Sequence, residues 1–390
     1  MRLEKLNRRI CKKELCCGCE SCVQSCPKHC ILMVTDQEGF QYPAINEEEC
    51  INCGRCKKAC PVLNSLDLKD EKRKIFAAFS LQDKIRLNSS SGGIFSLLAS
   101  EILSQGGVVF GAAFDSKWDV HHIKIEKEED LPKLRGSKYL QSRIEKTYGE
   151  VEAYLKQGRK VLFSGTGCQI AGLKQYLQYD YQYCYMIDVL CHGVPSPLVW
   201  KKYLSEKEKQ AGACAKHVQF RDKGISWNSY RTKITFDNNK QYIKKFSQDT
   251  YMRLFLENID LRPSCHNCMF KSVERCSDLT IGDAWGIEHV MPEFDDGKGT
   301  SLVIIQSLKG QELFEKIRNK VFAVEGDLDE LWPSHSDSRK SVKPHANREL
   351  FFKKMITNES IEQMGKYLRL SVPKRAWLKI KRILWINKYL

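Results

Sequence analysis

Nowhere does the 390-residue chain approach the roughly 18 uninterrupted apolar residues that a membrane-spanning helix requires. Its first residues, MRLEKLNRRI, hold no apolar core of a secretory signal. No GxGxxG follows a strand-like stretch and no GxxxxGK[ST] occurs, so neither a Rossmann fingerprint nor a P-loop has support. RNA-recognition, helix-turn-helix and finger patterns are missing too, and the basic residues are dispersed rather than gathered in a stripe. These absences lead to the expectation of a cytoplasmic protein without a nucleic-acid partner, in a compartment where thiols stay reduced.

What the chain has in excess is cysteine, 18 in all. A chain this long buries its own cores and needs no cysteine staples, so clustered cysteines argue for metal or redox chemistry. Residues 16 to 30 read CCGCESCVQSCPKHC, and residues 50 to 61 read CINCGRCKKACP. Cys16, Cys19, Cys22 and Cys26 recur as Cys50, Cys53, Cys56 and Cys60 at an offset of 34, each set followed by proline. Two copies that share only ligand-type residues make a pseudo-symmetric pair, not a solenoid. The spacing C-x2-C-x2-C-x3-C-P is that of bacterial ferredoxins with two four-iron clusters, in which the fourth cysteine of each run ligates the other cube. Cluster one then takes Cys16, Cys19, Cys22 and Cys60, and cluster two takes Cys50, Cys53, Cys56 and Cys26. A zinc site would leave the third cysteine of each run and both prolines unexplained. Cys11, Cys17 and Cys30 fall outside the pattern.

The formal charge of +15 counts every cysteine as neutral. A four-iron cube with its four thiolates is net about 2−, so three of them would lower the total to roughly +9. Such a basic protein suits docking to an acidic electron carrier.

Residues 1–64 form the cysteine-rich module, ending at a polar stretch, VLNSLDLKDEKRK. Beyond it KIFAAFSL, GGVVFGAAF, KVLFSGTG and YCYMIDVL read as strands. SGGIFSLLASEILSQ, VEAYLKQG, CQIAGLKQYL and PSPLVWKKYLSEKEKQ read as the helices between them. This alternation predicts an α/β layer with mainly parallel strands, and residues 216–246 add a short antiparallel piece with a turn at DNNK. The fold class is thus α+β joined to α/β, with the N-terminal part of the larger domain at 72–150, its C-terminal part at 151–330, and a polar region with a tail at 331–390. A second cysteine set is scattered: Cys168 and Cys191 each follow a strand and open a helix, at the sheet edge where α/β ligands bind. Cys265 and Cys268 form a C-x2-C hook that could close over the same edge. On spacing alone a third cluster competes with buried apolar cysteines and with half of a zinc site.

SSSGGIFS (89–96), RGSKYLQS (135–142), GTGCQIAGL (165–173), CHGVPSP (191–197), RPSCHNCMFK (262–271) and DLTIGDAWGI (278–287) follow the ferredoxin module in order. With them the chain resembles the beta subunit of coenzyme F420-reducing hydrogenase and its relatives in formate dehydrogenase and chlorophyll-pathway reductases. The resemblance reaches to about residue 330. It implies an iron–sulfur flavoprotein with FAD in the α/β domain and a third four-iron cluster beside the flavin, its ligands Cys168, Cys191, Cys265 and Cys268. The chain departs from the family at Gly167, where proline is common, and in an extra Cys276.

For the flavin, Ser91, Gly92 and Gly93 precede an apolar helix whose free amides would receive a phosphate. Lys138 would meet the diphosphate and Tyr139 a ring, with Asp283 and Trp285 facing the same place. The expected activity is a flavin-dependent oxidoreductase passing electrons between ferredoxin-type clusters and FAD, with a redox protein (ferredoxin or an oxidoreductase subunit) as partner. In hydrogenase relatives the small-molecule substrate is the deazaflavin coenzyme. Similar bacterial proteins lie in cell-surface polysaccharide biosynthesis contexts, which widens the expected substrate. The alternative is an electron-transfer subunit without substrate chemistry of its own. Finally, Trp377, Ile380 and Leu384 in the basic tail 373–390 share a helical face, so peripheral membrane contact competes with packing on its own domain.

Overall fold

In the computed structural model, which describes residues 9–64, 73–334, 336–357 and 359–368, the two cysteine runs follow one backbone plan. Gly18 (φ +69°) and Asn52 (φ +53°), then Glu20 (φ +61°) and Gly54 (φ +74°), take left-handed conformations at the 34-residue offset. The short helices Ser21–Gln24 and Arg55–Lys58 follow at that same offset. Left-handed residues let a chain turn back within a few positions, which is how closely spaced thiols come to face one centre. Between the runs lies an antiparallel hairpin of β1 (Ile31–Thr35) and β2 (Gln41–Ile45).

The rest of the fold is built on one eight-stranded sheet. Its strands are β3 (Lys74–Ser80), β4 (Val108–Phe114), β5 (Val120–Ile125), β6 (Val161–Thr166), β7 (Cys184–Val189), β11 (Leu279–Asp283), β12 (Ser301–Ile305) and β13 (Val321–Glu325). Their order is β13-β3-β12-β11-β7-β6-β4-β5. β4, β6, β7 and β11 pair in parallel, while β5, β12, β3 and β13 join by antiparallel pairings. The expected mainly parallel layer is therefore a mixed sheet. The physical reason is that β5 returns by a short loop and β12 by a segment with only two short helical turns, and a strand that returns without a crossover must run antiparallel.

β3, β4, β6, β7 and β11 nevertheless point the same way, so their carboxyl ends share one edge. The parts at 72–150 and 151–330 share this one sheet, with β3 lying between β12 and β13. The separate antiparallel sheet is present as β8 (Ala215–Asp222), β9 (Arg231–Phe236) and β10 (Gln241–Lys245). Residues 348–368 contribute Phe351, Ile361 and Met364 to the core, so this stretch is more than a polar extension. The tail 373–390 lies outside the described residues. Among those described, no helix is long and apolar enough to cross a membrane.

The central strands are buried on both faces, which explains their continuous apolar runs. Val109, Leu162 and Ile187 pack with Ile94, Leu97 and Leu98 of the helix Ile94–Ser104. Phe110, Phe163 and Met186 face the helices Thr147–Lys156 and Gly167–Leu177 through Val151, Ile170 and Leu173.

The cysteine module docks on the second of these helices. A Cβ at Gly172 would lie 2.9 Å from the Cys19 Cβ and 2.8 Å from the Tyr148 hydroxyl, so only glycine fits the present spacing. Buried Glu20 accepts from the Ile144 and Glu145 amides at 2.8 and 3.0 Å, and Arg348 clasps Glu38 at 2.9 and 2.5 Å. Gly172→Ala should therefore overpack this contact, at about 1–3 kcal/mol. A lower midpoint in anaerobic thermal unfolding is the expected result; an unchanged midpoint would mean that the module stands off the helix.

Candidate functional site

The edge shared by β4, β6, β7 and β11 opens into a cavity of about 880 Å³. That size matches cofactor and ligand sites, and the place is the one where open α/β sheets bind ligands. One end is walled by Ser90, Ser91, Gly93, Phe95, Arg135 and Ser137, at the start of the helix Ile94–Ser104. The first amides of a helix lack intrahelical partners, so this end suits an anion. Beside it the wall is aromatic, with Tyr139, Tyr230, Phe246 and Trp285, and Arg221 bridges the two by donating to the Ser90 carbonyl while lying over the Tyr230 ring.

Three smaller cavities are lined by cysteine. The first gathers Cys26, Cys50, Cys53 and Cys56, with Cys30 beside them. The second gathers Cys16, Cys19, Cys22 and Cys60, with Cys11 and Cys17. The third, at the sheet edge, gathers Cys168, Cys191, Cys265 and Cys268 with Cys17. No disulfide joins any of the eighteen cysteines. The cavities also adjoin one another: Ile10 lines the first and second, Cys17 the second and third, and Cys191, Gly193 and Val194 line both the third and the large cavity. Among the described residues, no three His, Cys, Asp or Glu side chains converge on a single ion. In a cube each thiolate binds a different iron, so its ligands need not converge on one ion.

As free groups the thiols of the third set resist ionisation. Burial pushes Cys191 up to about 12 and raises Cys265 and Cys268, while contact with Cys17, then burial, raises Cys168. Four protonated thiols in one dry place are a poor end in themselves, but an arriving metal displaces such protons. The wall of this cavity is completed by Arg275, which pairs with fully buried Asp188 at 2.5 Å.

The residues expected at a flavin are only partly brought together. Ser91 and Gly93 line the large cavity, with Gly93 at φ +90° capping the helix. Gly92 does not line it: its amide donates to the Ser301 hydroxyl at 2.9 Å, and a Cβ would meet the Ala78 carbonyl at 2.5 Å. Its requirement for glycine comes from packing between strands, not from a phosphate. Lys138 lines the cavity, but its ammonium donates to the carbonyls of Leu134, Arg135 and Gly136 at 3.1–3.2 Å, and burial pushes it down to about 7. Its three donors are thus already engaged. Tyr139 faces the cavity and its hydroxyl accepts from Arg221. Asp283 pairs with Arg221 at 2.8 Å and accepts from the Trp227 indole at 3.0 Å.

Sequence reading missed Arg135, Arg221, Tyr230 and His122, since single residues on strands and loops carry no spacing signal. Arg221 is almost fully buried and lies over the Tyr230 and Trp285 rings at 4.2 and 5.1 Å, so it ties β8 to the sheet edge. His122 on β5 has its Nε2 2.9 Å from the Ser164 carbonyl, which can only accept. Nδ1 therefore accepts from the Ser142 hydroxyl, at 2.7 Å. Burial pushes this imidazole down to about 4. The unfolded chain then binds the extra proton between pH 6.5 and 4, so this group's contribution is complete above about 6.5 and falls as pH drops, by on the order of 3 kcal/mol in all. Denaturant unfolding at pH 7 and pH 5 should show wild type losing more stability than His122→Gln. Equal losses would contradict a neutral buried imidazole.

Comparison with known proteins agrees with this architecture. Residues 75–147 match the N-terminal, and residues 158–330 the C-terminal, model of the coenzyme F420 hydrogenase/dehydrogenase beta subunit. Residues 15–64 match a 4Fe-4S dicluster domain. No curated protein matches the chain. Among solved structures, a chain of the F420-reducing [NiFe] hydrogenase complex from Methanosarcina barkeri is similar at 17% identity and a TM-score of 0.46, over 75% of this chain and 89% of that one. With both beta-subunit models and the dicluster domain in sequence order, this chain belongs to the coenzyme F420 hydrogenase/dehydrogenase beta-subunit family.

Proposed function

We propose that the chain is an iron–sulfur flavoprotein oxidoreductase that carries electrons between a redox protein and a small molecule by way of three four-iron clusters and one FAD. The observation that supports this reading is the unbroken series of four cavities, three walled by cysteine and the last large, aromatic and anion-friendly. Four-iron clusters pass electrons singly and a flavin exchanges one or two, so together they join one- and two-electron chemistry.

The chain's own residues would act as follows. Cys26, Cys50, Cys53 and Cys56 hold the outermost cluster, where exposed Cys53 gives a redox partner the shortest approach. Cys16, Cys19, Cys22 and Cys60 hold the next. Cys168, Cys191, Cys265 and Cys268 hold the third, against the wall shared with the large cavity. There Arg135 and the amides after Gly93 would bind the diphosphate, in place of the engaged Lys138. Ser91, whose hydroxyl donates to the Thr300 carbonyl at 2.8 Å, keeps that turn in position. Trp285 stacks on Trp227 at 4.7 Å and 4° while 47% exposed, which offers a flat apolar face to a planar substrate at the mouth. A deazaflavin fits that description, as do other planar redox molecules. A role in polysaccharide assembly rests on the resemblance alone.

Anaerobically prepared protein should contain about twelve irons and one flavin. Cys268→Ser should lose about four irons while the dicluster domain keeps eight; full retention would remove Cys268 from the ligand set. Arg135→Gln should keep the iron and lower the flavin content severalfold. Unchanged flavin would return Arg135 to a surface role.

A further inference from the structure

Arg262 carries a charge whose hydrogen-bond partners are two backbone carbonyls, a side-chain amide and a thiol. It is fully buried. Its Nε donates to the Cys16 carbonyl at 2.8 Å, Nη1 to the Gln141 side-chain oxygen at 2.8 Å, and Nη2 to the Gln41 carbonyl at 2.9 Å. Nη2 also lies 3.8 Å from the Cys16 sulfur. The guanidinium sits over the Tyr42 ring at 4.2 Å. These contacts orient a cation in a dry interior without supplying the negative charge that a buried cation needs.

The surroundings are shaped for this one side chain. A Cβ on Gly18 would come within 2.5 Å of Gln141 and 3.0 Å of the Arg262 guanidinium, and Gly18 is left-handed at φ +69°. At the other end the Arg262 backbone belongs to the third cysteine cavity: its amide donates to the Val194 carbonyl and its carbonyl accepts from the Cys265 amide, both at 2.9 Å. A single residue therefore has its backbone at the third cysteine set and its charge at the sulfur of Cys16.

We propose that Arg262 is a positioning residue that raises the reduction potential of cluster one, and so sets the step between that cluster and the third. The inference rests on the three-cluster reading above. Hydrogen bonds and charge at a ligand sulfur are established levers on cluster potential. Uptake of one electron makes the cube and its thiolates more negative by one unit, and a cation held beside Cys16 favours that reduced form. No proton need move, because guanidinium keeps its charge throughout.

The test is an anaerobic redox titration with dithionite, followed by electron paramagnetic resonance, of wild type, Arg262→Gln and Arg262→Lys as full-length holoproteins. The cluster-one signal is identified by its alteration in Cys16→Ser. Arg262→Gln should make that cluster at least tenfold harder to reduce, a downward shift of 59 mV or more for one electron, with Arg262→Lys between it and wild type. A cluster-one potential unmoved in Arg262→Gln, at full iron content, would overturn the proposal. So would a lysine variant shifted as far as glutamine, since geometry rather than charge would then be responsible. If Arg262→Gln loses iron, Gly18→Ala, whose Cβ would crowd Gln141 and the guanidinium at 2.5 and 3.0 Å and so disturb its seat beside Cys16, takes its place under the same criterion. Iron content reports separately on the clusters: fewer than twelve irons in wild type would count against the three-cluster reading and not against Arg262.

Discussion

Gly172 brings the helix Gly167–Leu177 into contact with Cys19, and this close approach fixes how the N-terminal module stands on the sheet. Two consequences follow from it. The run that begins at Cys16 is pressed against the carboxyl edge of the parallel strands, so Cys17 reaches the wall of the third cysteine cavity. The module also shares its buried polar groups with the larger domain: Glu20 uses amides at 144 and 145, and Arg262 reaches back to Cys16 and Gln41. The dicluster domain is therefore packed as part of one body, not tethered to it.

Charge within this interior follows the same economy. Arg221 has Asp283, Arg275 has Asp188, and Arg86 has Asp296 at 2.6 Å, each a buried guanidinium matched to a carboxylate. Arg262, also a buried guanidinium, has no carboxylate among its hydrogen-bond partners and is placed among cysteines. Buried cations paired with carboxylates hold the sheet edge together, whereas one facing a thiol is available to a negatively charged centre. These matched pairs cancel within the formal charge of +15, so the excess is carried by cations outside them.

Much of the architecture was legible in sequence because its signals were either periodic or dense. The 34-residue offset of the cysteine runs reappears as matched left-handed residues at 18 and 52 and at 20 and 54. Strands such as VVFGAAF and YMIDV were plain because both faces are buried. Pairing direction was not, since nothing local in SLVIIQSL says that β12 runs against β11. In the large cavity the motif stretches pointed to the right edge, but individual roles did not follow. Gly92 is glycine for strand packing, and Lys138 spends its donors on carbonyls of its own turn. Arg135 and Arg221 were missed because a lone arginine on a loop or strand looks the same whether it meets solvent or a cofactor. Cys17 was set aside by a spacing rule that describes the ferredoxin module in isolation, and its second neighbourhood exists only once that module is docked.

The central claim is a line of redox centres that runs from the surface cysteines at 50–56 to the sheet edge. Anomalous diffraction at the iron edge from anaerobically grown crystals tests it most directly. The account predicts three separate iron peaks, one within each cysteine-lined cavity, with the third beside Cys191 and adjoining the large cavity. Two peaks only, or iron anywhere but among those three sets of cysteines, would contradict it.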